Sequence, residues 1–266
     1  MIEISSIIKK KDKKKDKNIE KSSSSNFLIQ SVIKTPQKKM NVETDVQLVA
    51  IYKSITQNYI FYIVLLCCLV AFTKYTTHNR SCFILSLCSI VFVTFYGYMV
   101  HLLSHYMQTN VSNLYKTYSN IFTRNKYINW MALKMLDFGE FHAKTHHNSD
   151  INKQFTNIAL EFINNAVTQG IILIVIKYIL GLIDNRVIVL WALFYATVHN
   201  INYLVVKPST HTEHHIDSKT NYGIDIWDII IGSKYDWNNI ETHNHTAINL
   251  IVITAVIIFI CNRFKF

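Results

Sequence analysis

Long apolar runs without charge constrain this chain more than any other feature. Ile55–Thr73 and Ser81–Val100 are 19 and 20 residues long and contain no acidic or basic side chain. At 1.5 Å per residue a helix of that length reaches roughly 30 Å, the thickness of the bilayer hydrocarbon. Phe162–Ile183 is a third run, interrupted by Lys177, and Val187–Val206 is a fourth that carries His199. Thr246–Cys261, at 16 residues, is a fifth that either spans or lies in the interface. Six glycines and two prolines in 266 residues leave little to break helices. The expected fold is therefore an all-α integral membrane protein with four to five transmembrane helices.

The charge lies mostly outside those runs. Residues 1–40 hold 11 lysines against 4 acidic residues, +7 of a total net charge of +10. With "KKKDKKKDK" and "KSSSSN", residues 1–45 read as a disordered, solvated tail, and 46–266 as the membrane domain. A solubilising cytosolic tail or a tail drawn to an anionic membrane surface both fit. No aromatic or groove-reading element accompanies the lysines, so nucleic acid is not an expected partner. Runs one and two are joined by "KYTTHNR" and runs three and four by "DNR", which makes two helical hairpins. The positive-inside tendency puts the N-terminus in the cytosol, the loops around His78 and Asp184 opposite, and the ends of runs two and four back on the cytosolic side. The five cysteines, Cys67, Cys68, Cys82, Cys88 and Cys261, form no CxxC pair and read as apolar thiols.

Nine of twelve histidines gather near that cytosolic side. "HLLSH" places His101 and His105 four apart, on one helix face. "HAKTHH" gives His142, His146 and His147, and "HTEHH" gives His211, His214 and His215. His199 sits within an apolar run, where an ionisable side chain is a functional candidate by default. Packing does not explain so many buried imidazoles, because each needs polar partners. Metal binding does, and nine imidazoles suit two ions better than one. Imidazole alone does not choose among Fe, Zn, Cu and Ni. His243 and His245, before run five, are weaker metal candidates, and His78 reads as polar surface.

The order HxxxH, HxxxHH, HxxHH, with "HTEHH" followed by Asn221, Tyr222, Gly223, then Trp227, Asp228 and Gly232, resembles the fatty acid hydroxylase/sterol desaturase superfamily of membrane histidine-box enzymes. The likeness covers about residues 55–262. Three residues separate "NYG" from "WD" here where that family usually has five, and 36 separate His105 from His142, an interval closer to acyl desaturases than to many hydroxylases. The resemblance implies a di-iron site held by the nine histidines, dioxygen as co-substrate, and a lipid substrate such as an acyl chain or sterol. It implies hydroxylation, or desaturation on the same scaffold; a metal-binding membrane protein without oxidative chemistry is the third reading. Asp228 is expected to orient a ligand imidazole through its second N–H, and Gly223 to permit positive φ after the last box. Trp227 fits an interfacial anchor equally well.

Such chemistry needs two electrons from outside. The six glycines never cluster into a dinucleotide fingerprint, neither proline follows a histidine as a haem-domain signature requires, and no cysteine spacing suits an iron–sulfur cluster. The expected partner is a separate donor, cytochrome b5-like or ferredoxin-like with a reductase, docking on the cytosolic face of the endoplasmic reticulum or an equivalent internal membrane.

Overall fold

The computed structural model describes residues 36–76, 83–145, 155–181 and 183–264. His78, His146, His147 and residues 1–35 of the expected tail lie outside the described residues. The chain divides into two units, Met1–Asn41 and Val42–Phe266, and the description below concerns the second.

The described residues are helical, without strands. In order the elements are α1 (Pro36–Gln57), α2 (Tyr59–Tyr75), α3 (Phe83–Phe122), α4 (Lys126–Thr145), α5 (Phe155–Leu180), α6 (Asn185–Thr197), a π-helical turn (Val198–Asn202), α7 (Tyr203–Val206), α8 (Ser209–Ile216), α9 (Asp225–Ile231), a 3₁₀ turn (Asn244–Thr246) and α10 (Ala247–Phe264). Four stretches are long and apolar enough to cross a membrane: Phe83–Met107, Phe155–Ile179, Asn185–Val206 and Asn244–Phe264. A fifth span exists if Thr44–Gln57 and Tyr59–Tyr75, bent 67° to one another, count as one. The helix α1 begins at Pro36, inside the stretch expected to be tail. Proline suits the first helical position, where its missing N–H costs nothing.

The bend corrects the first apolar run, which is not one straight helix. Asn58 sits at the break and is 1% exposed. Its Nδ2 donates to the Glu241 carbonyl (2.9 Å) and its Oδ1 accepts from the His243 backbone N–H (2.6 Å). The apolar pattern does not reveal this, because the partners lie more than 180 residues away. The marginal fifth run is likewise longer than its hydropathy indicates, since the turn at Asn244 adds to it.

α6 is the central helix. Val187, Ile188, Leu190, Trp191 and Phe194 pack against Phe61, Leu69 and Phe72 of α2, Ile90 and Val93 of α3, Leu173 of α5, and Leu250 and Ile257 of α10. The outer faces keep large apolar side chains exposed, among them Ile63, Val91, Val175 and Phe259. An apolar exterior around a packed apolar core is what a lipid solvent selects and water does not.

At one end of α6 the chain makes a buried polar knot. Asp184 caps the helix by accepting from the Arg186 backbone N–H (3.0 Å), and its carboxylate pairs with the Arg186 guanidinium (2.5 Å). Ser86 donates to Asp184 (2.7 Å), Ser89 accepts the Asp184 N–H (2.8 Å), and Arg186 also reaches the Phe72 carbonyl (2.8 Å) and the Thr76 hydroxyl. The knot ties the residues flanking the two short hairpin loops to one end of the bundle. Lys177, which interrupts the third run, stays exposed near this end and donates to Asn185 (2.6 Å).

Beyond its span, α3 continues to Phe122 and α4 returns after a three-residue turn, held by Tyr115 Oη donating to Asn129 (3.0 Å). From His105 to the turn and from the turn back to His142 are nearly equal lengths of helix. The long interval between the first two histidine boxes is thus a helical hairpin that brings residue 142 back level with His105.

Candidate metal centre

Helices α3 and α6 both start at the knot and carry histidines about 15 residues on, roughly 22 Å away at helical rise. His101 and His105 come from α3, His199 from the π-helical turn, and His211, His214 and His215 from α8. An extra residue inserted into a helix rotates the side chains beyond it, and such π-turns recur at functional sites. Here the inserted turn carries His199, 7% exposed.

Three imidazoles converge. The ligand nitrogens of His101, His105 and His214 lie within 4.8 Å of one another. His105 Nε2 is 3.1 Å from His214 Nε2. His101 Nδ1 lies 2.6 Å from the Tyr222 carbonyl and His214 Nδ1 lies 2.5 Å from the Thr220 carbonyl. A carbonyl oxygen only accepts, so both Nδ1 atoms carry the proton and both Nε2 atoms offer a lone pair. That is the arrangement by which outer carbonyls fix the tautomer of metal-binding histidines. Burial pulls the His214 pKa down to about 4, with the Thr220 carbonyl partly offsetting it, so the ring is neutral at pH 7.

A second pair stands alongside. His211 Nε2 and His215 Nε2 are 3.0 Å apart. The His199 ring bridges the groups, 5.9 Å from the His101 ring and 5.2 Å from the His211 ring, centroid to centroid. A first-row ion about 2.0–2.1 Å from each imidazole nitrogen holds those nitrogens about 2.8–3.4 Å apart at angles between square and tetrahedral. Both Nε2 pairs have that spacing. Among the described residues the donor set can hold one ion at His101, His105 and His214, and His211 and His215, with the His199 ring beside His211, offer a second nitrogen pair. His142 lies on α4, and His146 and His147 fall outside the described residues.

The segment after α8 builds the carbonyls that the imidazoles need. Asn221 takes φ +53°, a conformation that asparagine tolerates better than most side chains. Its Nδ2 donates to the Thr210 carbonyl (3.0 Å), its N–H to the Ser233 carbonyl (2.9 Å), and its Oδ1 accepts from the Tyr235 N–H (3.2 Å). Gly223 does not have positive φ; the left-handed glycine of this segment is Gly232, at +85°. What Gly223 provides is room, since a Cβ there would lie 3.3 Å from the Tyr98 side chain. Asp228 corrects a second expectation. It touches no histidine but accepts from the backbone N–H groups of Tyr222 (2.8 Å) and Gly223 (3.0 Å) and from Ser233 Oγ (2.7 Å). It acts on His101 one step removed, by fixing the turn whose carbonyl holds Nδ1. Burial raises the Asp228 pKa to about 6, those donors limiting the rise. Trp227 turns inward: its Nε1 donates to Thr94 (3.1 Å) and its ring meets Phe95 edge-on at 5.1 Å.

His243 and His245 are not in the three-nitrogen group. His243 Nδ1 lies 3.7 Å from Glu241, which accepts hydrogen bonds from Tyr203 and Thr210, both at 2.6 Å. His243 lines a small chamber of about 50 Å³ together with His101, His199 and His211. That chamber shares Thr94, Trp191, Phe194 and Ile224 with an apolar cavity of about 360 Å³ between α2, α3, α6, α9 and α10, walled by Leu65, Ile90, Leu190, Trp227 and Leu250.

Sequence reading missed a polar row on α5. Glu161, Asn165 and Gln169 are 5%, 6% and 1% exposed. Their spacing of four puts them on one face, a signal present in the sequence but submerged in an apolar average. Gln169 accepts from Trp191 Nε1 (3.0 Å). No protein-family model, curated protein or solved structure matches the chain.

Proposed function

We propose that the protein is a membrane-bound, dioxygen-dependent di-iron oxidoreductase that hydroxylates a lipid, an acyl chain or a sterol. One observation carries the reading: an apolar cavity of about 360 Å³, of ligand-pocket size, shares four wall residues with the chamber onto which His101, His199 and His211 open. A hydrocarbon in that cavity has nothing polar to satisfy it and one direction in which to meet chemistry. The histidine-box resemblance supplies the choice of iron.

Iron and dioxygen together supply an oxidant able to attack an unactivated C–H bond. Overall, one C–H bond, O2, two electrons and two protons give one alcohol and one water. The chain's own part is positional. His101 and His214 keep Nε2 available by donating from Nδ1 to the Tyr222 and Thr220 carbonyls. Thr94, Trp191, Phe194 and Ile224 form the mostly apolar wall that cavity and chamber share. A separate cytochrome b5-like or ferredoxin-like donor with its reductase provides the electrons at the cytosolic, histidine-bearing end. The same scaffold removing a second hydrogen instead of rebinding oxygen is a desaturase, and the interval between His105 and His142 favours that variant.

Lipid mass spectrometry of cells expressing the wild-type chain or His214→Ala tests the proposal. A lipid heavier by one oxygen, present only with wild type, is the expected result. A lipid lighter by two hydrogens selects the desaturase. An unchanged lipidome with iron-loaded protein, electron donors present, leaves the non-catalytic metal protein.

A further inference from the structure

Two kinds of side chain bound the apolar cavity of about 360 Å³. Leu69 and Leu190 belong to the packed interior and are 0% exposed. Leu66, Leu87, Val91 and Ile230 line the same cavity yet reach the outer surface, from 36% exposed at Leu87 to 53% at Val91. Helical spacing explains the double role. Ile63, Leu66 and Val70 form one exposed stripe along α2, and Ile84, Leu87 and Val91 form another along α3. A side chain that belongs both to an outer stripe and to a cavity wall has the cavity on one side and the surroundings on the other. Between α2 and α3, therefore, single side chains separate the cavity from whatever surrounds the bundle.

The other directions are built differently. Toward α6 and α10 the walls are buried, at Leu190 and Leu250. Toward the histidine end α9 lies across the cavity, fastened by the Trp227 Nε1 hydrogen bond to Thr94 (3.1 Å) and the Trp227 ring against Phe95. No charged side chain lines the cavity, and the Thr94 hydroxyl is already committed, donating to the Val91 carbonyl (3.0 Å) and accepting from Trp227. A polar headgroup has no partner inside and must stay outside the bundle. The neighbouring chamber of about 50 Å³ has room for a short stretch of chain and none for a fused ring system.

We propose that the cavity seats one acyl chain of a bilayer lipid, which enters sideways between α2 and α3 past Leu66, Leu87 and Val91 while its headgroup remains outside the bundle. The inference rests on the reading of the cavity as the substrate's place. It adds that the substrate arrives from the bilayer and not as a water-soluble acyl thioester from the cytosol. A lipid tail is as apolar as leucine, so a chain that leaves the bilayer for this cavity exchanges one apolar environment for another. The barrier is the side chains at the seam, and exposed side chains change rotamer quickly. A soluble thioester would have to bring its charged carrier group to the histidine end, where α9 and the small polar chamber stand in the way.

Photolabelling of purified, metal-free, full-length protein in liposomes provides the test. The probe is a phosphatidylcholine with a diazirine midway along one acyl chain, and labelled residues are located by peptide mass spectrometry. Lipid around the bundle labels outer residues such as Val175 in any case. The informative positions are Leu69 and Leu190, which only a chain inside the cavity reaches. Wild type should carry label at both. Leu66→Trp and Val91→Trp, which add bulk at the seam from the outer face, should lose it there and keep it at Val175. Leu87→Ala, which widens the seam, should raise label at Leu69 and Leu190 relative to Val175, and it decides alone should the Trp variants not fold. The inference is overturned if wild type carries no label at Leu69 and Leu190, if either folded Trp variant retains it in full, or if Leu87→Ala does not raise it. It is also overturned if a diazirine cholesterol labels those two positions more strongly than the phospholipid. No metal takes part, so the two readings fail separately. Label inside the cavity with an unchanged lipidome keeps the seat and removes the oxidation, whereas oxidised lipid from a protein whose cavity takes no label keeps the oxidation and removes the seat.

Discussion

The two ends of α6 bury polar groups for opposite reasons. At the Asp184 end every strong donor and acceptor meets its complement: guanidinium with carboxylate, serine hydroxyls with carboxylate and N–H, and a carbonyl with the remaining guanidinium nitrogen. Burial raises the Asp184 pKa, but Arg186 and Ser86 more than reverse this and hold it below the ordinary carboxylate range. At the histidine end, the Nε2 atoms of His105 and His214, and of His211 and His215, face each other at 3.0–3.1 Å, and the Tyr222 and Thr220 carbonyls take the Nδ1 protons of His101 and His214, leaving a lone pair on Nε2 of each. The first end is complete without any ligand. The second, on the proposed reading, is shaped around one. A polar cluster that satisfies itself holds a fold together, and one whose best atoms converge on a point is built for an ion.

Breaking the second end has the largest expected effect. His214→Ala removes a fully buried nitrogen at the centre of the three-imidazole group. We expect iron content to fall from about two per chain to about one or fewer, with loss of product, since a first-row ion rarely stays on two protein ligands. Iron analysis together with the lipid assay measures this, while the detergent-solubilised protein remains monodisperse. Unchanged iron content would remove His214 from the centre.

Breaking the first end should cost stability and spare the metal. Arg186→Met leaves Asp184 charged and uncompensated in a buried site, at a cost of about 3–5 kcal/mol. Adding Asp184→Asn should recover part of that loss. Thermal or denaturant unfolding in detergent reads the cost, and iron affinity measured on the surviving folded fraction should match wild type. A matching loss of iron affinity would mean that the two ends are coupled through α6 and not separable.

Protons separate the ends further. In metal-free protein His214 titrates near 4 because it is buried, against about 6.5 in an unfolded chain. Between those values the unfolded state binds more protons, so stability declines as pH falls from 6.5 toward 4, by roughly 3 kcal/mol for a group with this shift. Asp228 works the other way. Its pKa, raised to about 6 by burial, adds stability at low pH that is lost as pH rises through 6. Asp228→Asn should therefore steepen the acid loss. Iron binding adds stability to the folded state and holds the His214 ring unprotonated to lower pH still, so the loaded protein should begin more stable, lose that gain more steeply as acid displaces the ion, and unfold at a different acid midpoint from the metal-free one. Equal acid midpoints for both forms would contradict the assignment of His214 as a ligand.

The spans and the first and last histidine boxes were legible because they depend on local spacing. His101 and His105, or His211 and His215, share a face by helical geometry alone. The Asn58 bend and the Asp184 knot were not, because their partners lie between about 100 and 185 residues away and carry no periodic signature. Glu161 was half legible: its row with Asn165 and Gln169 is periodic, but the high mean hydropathy of Phe155–Ile179 submerges it. Asp228 was assigned the right region and the wrong contact. Proximity in sequence to the last box suggests direct touch, whereas the chain interposes a turn and works through its carbonyl.

That interposed turn gives the smallest effect and the sharpest test of how the metal end is held. In Asp228→Asn one oxygen still accepts from Tyr222 N–H, but the amide nitrogen that replaces the other faces Gly223 N–H donor to donor. The turn must relax, and the Tyr222 carbonyl then loses its 2.6 Å contact with His101 Nδ1. A ligand histidine that loses its outer acceptor is less basic and less well aimed, which typically costs 10–100-fold in metal affinity; with one residue interposed, about tenfold is expected. Saturating iron should restore full stoichiometry, since every ligand remains. Ser233→Ala, which removes a donor to Asp228 but leaves both backbone contacts, should change affinity less than about threefold. Ferrous-ion isotherms on the three proteins measure the order. If Asp228→Asn and Ser233→Ala behave alike, Asp228 serves the fold of the turn and not the aim of His101, and the metal end is held by its imidazoles' own helices.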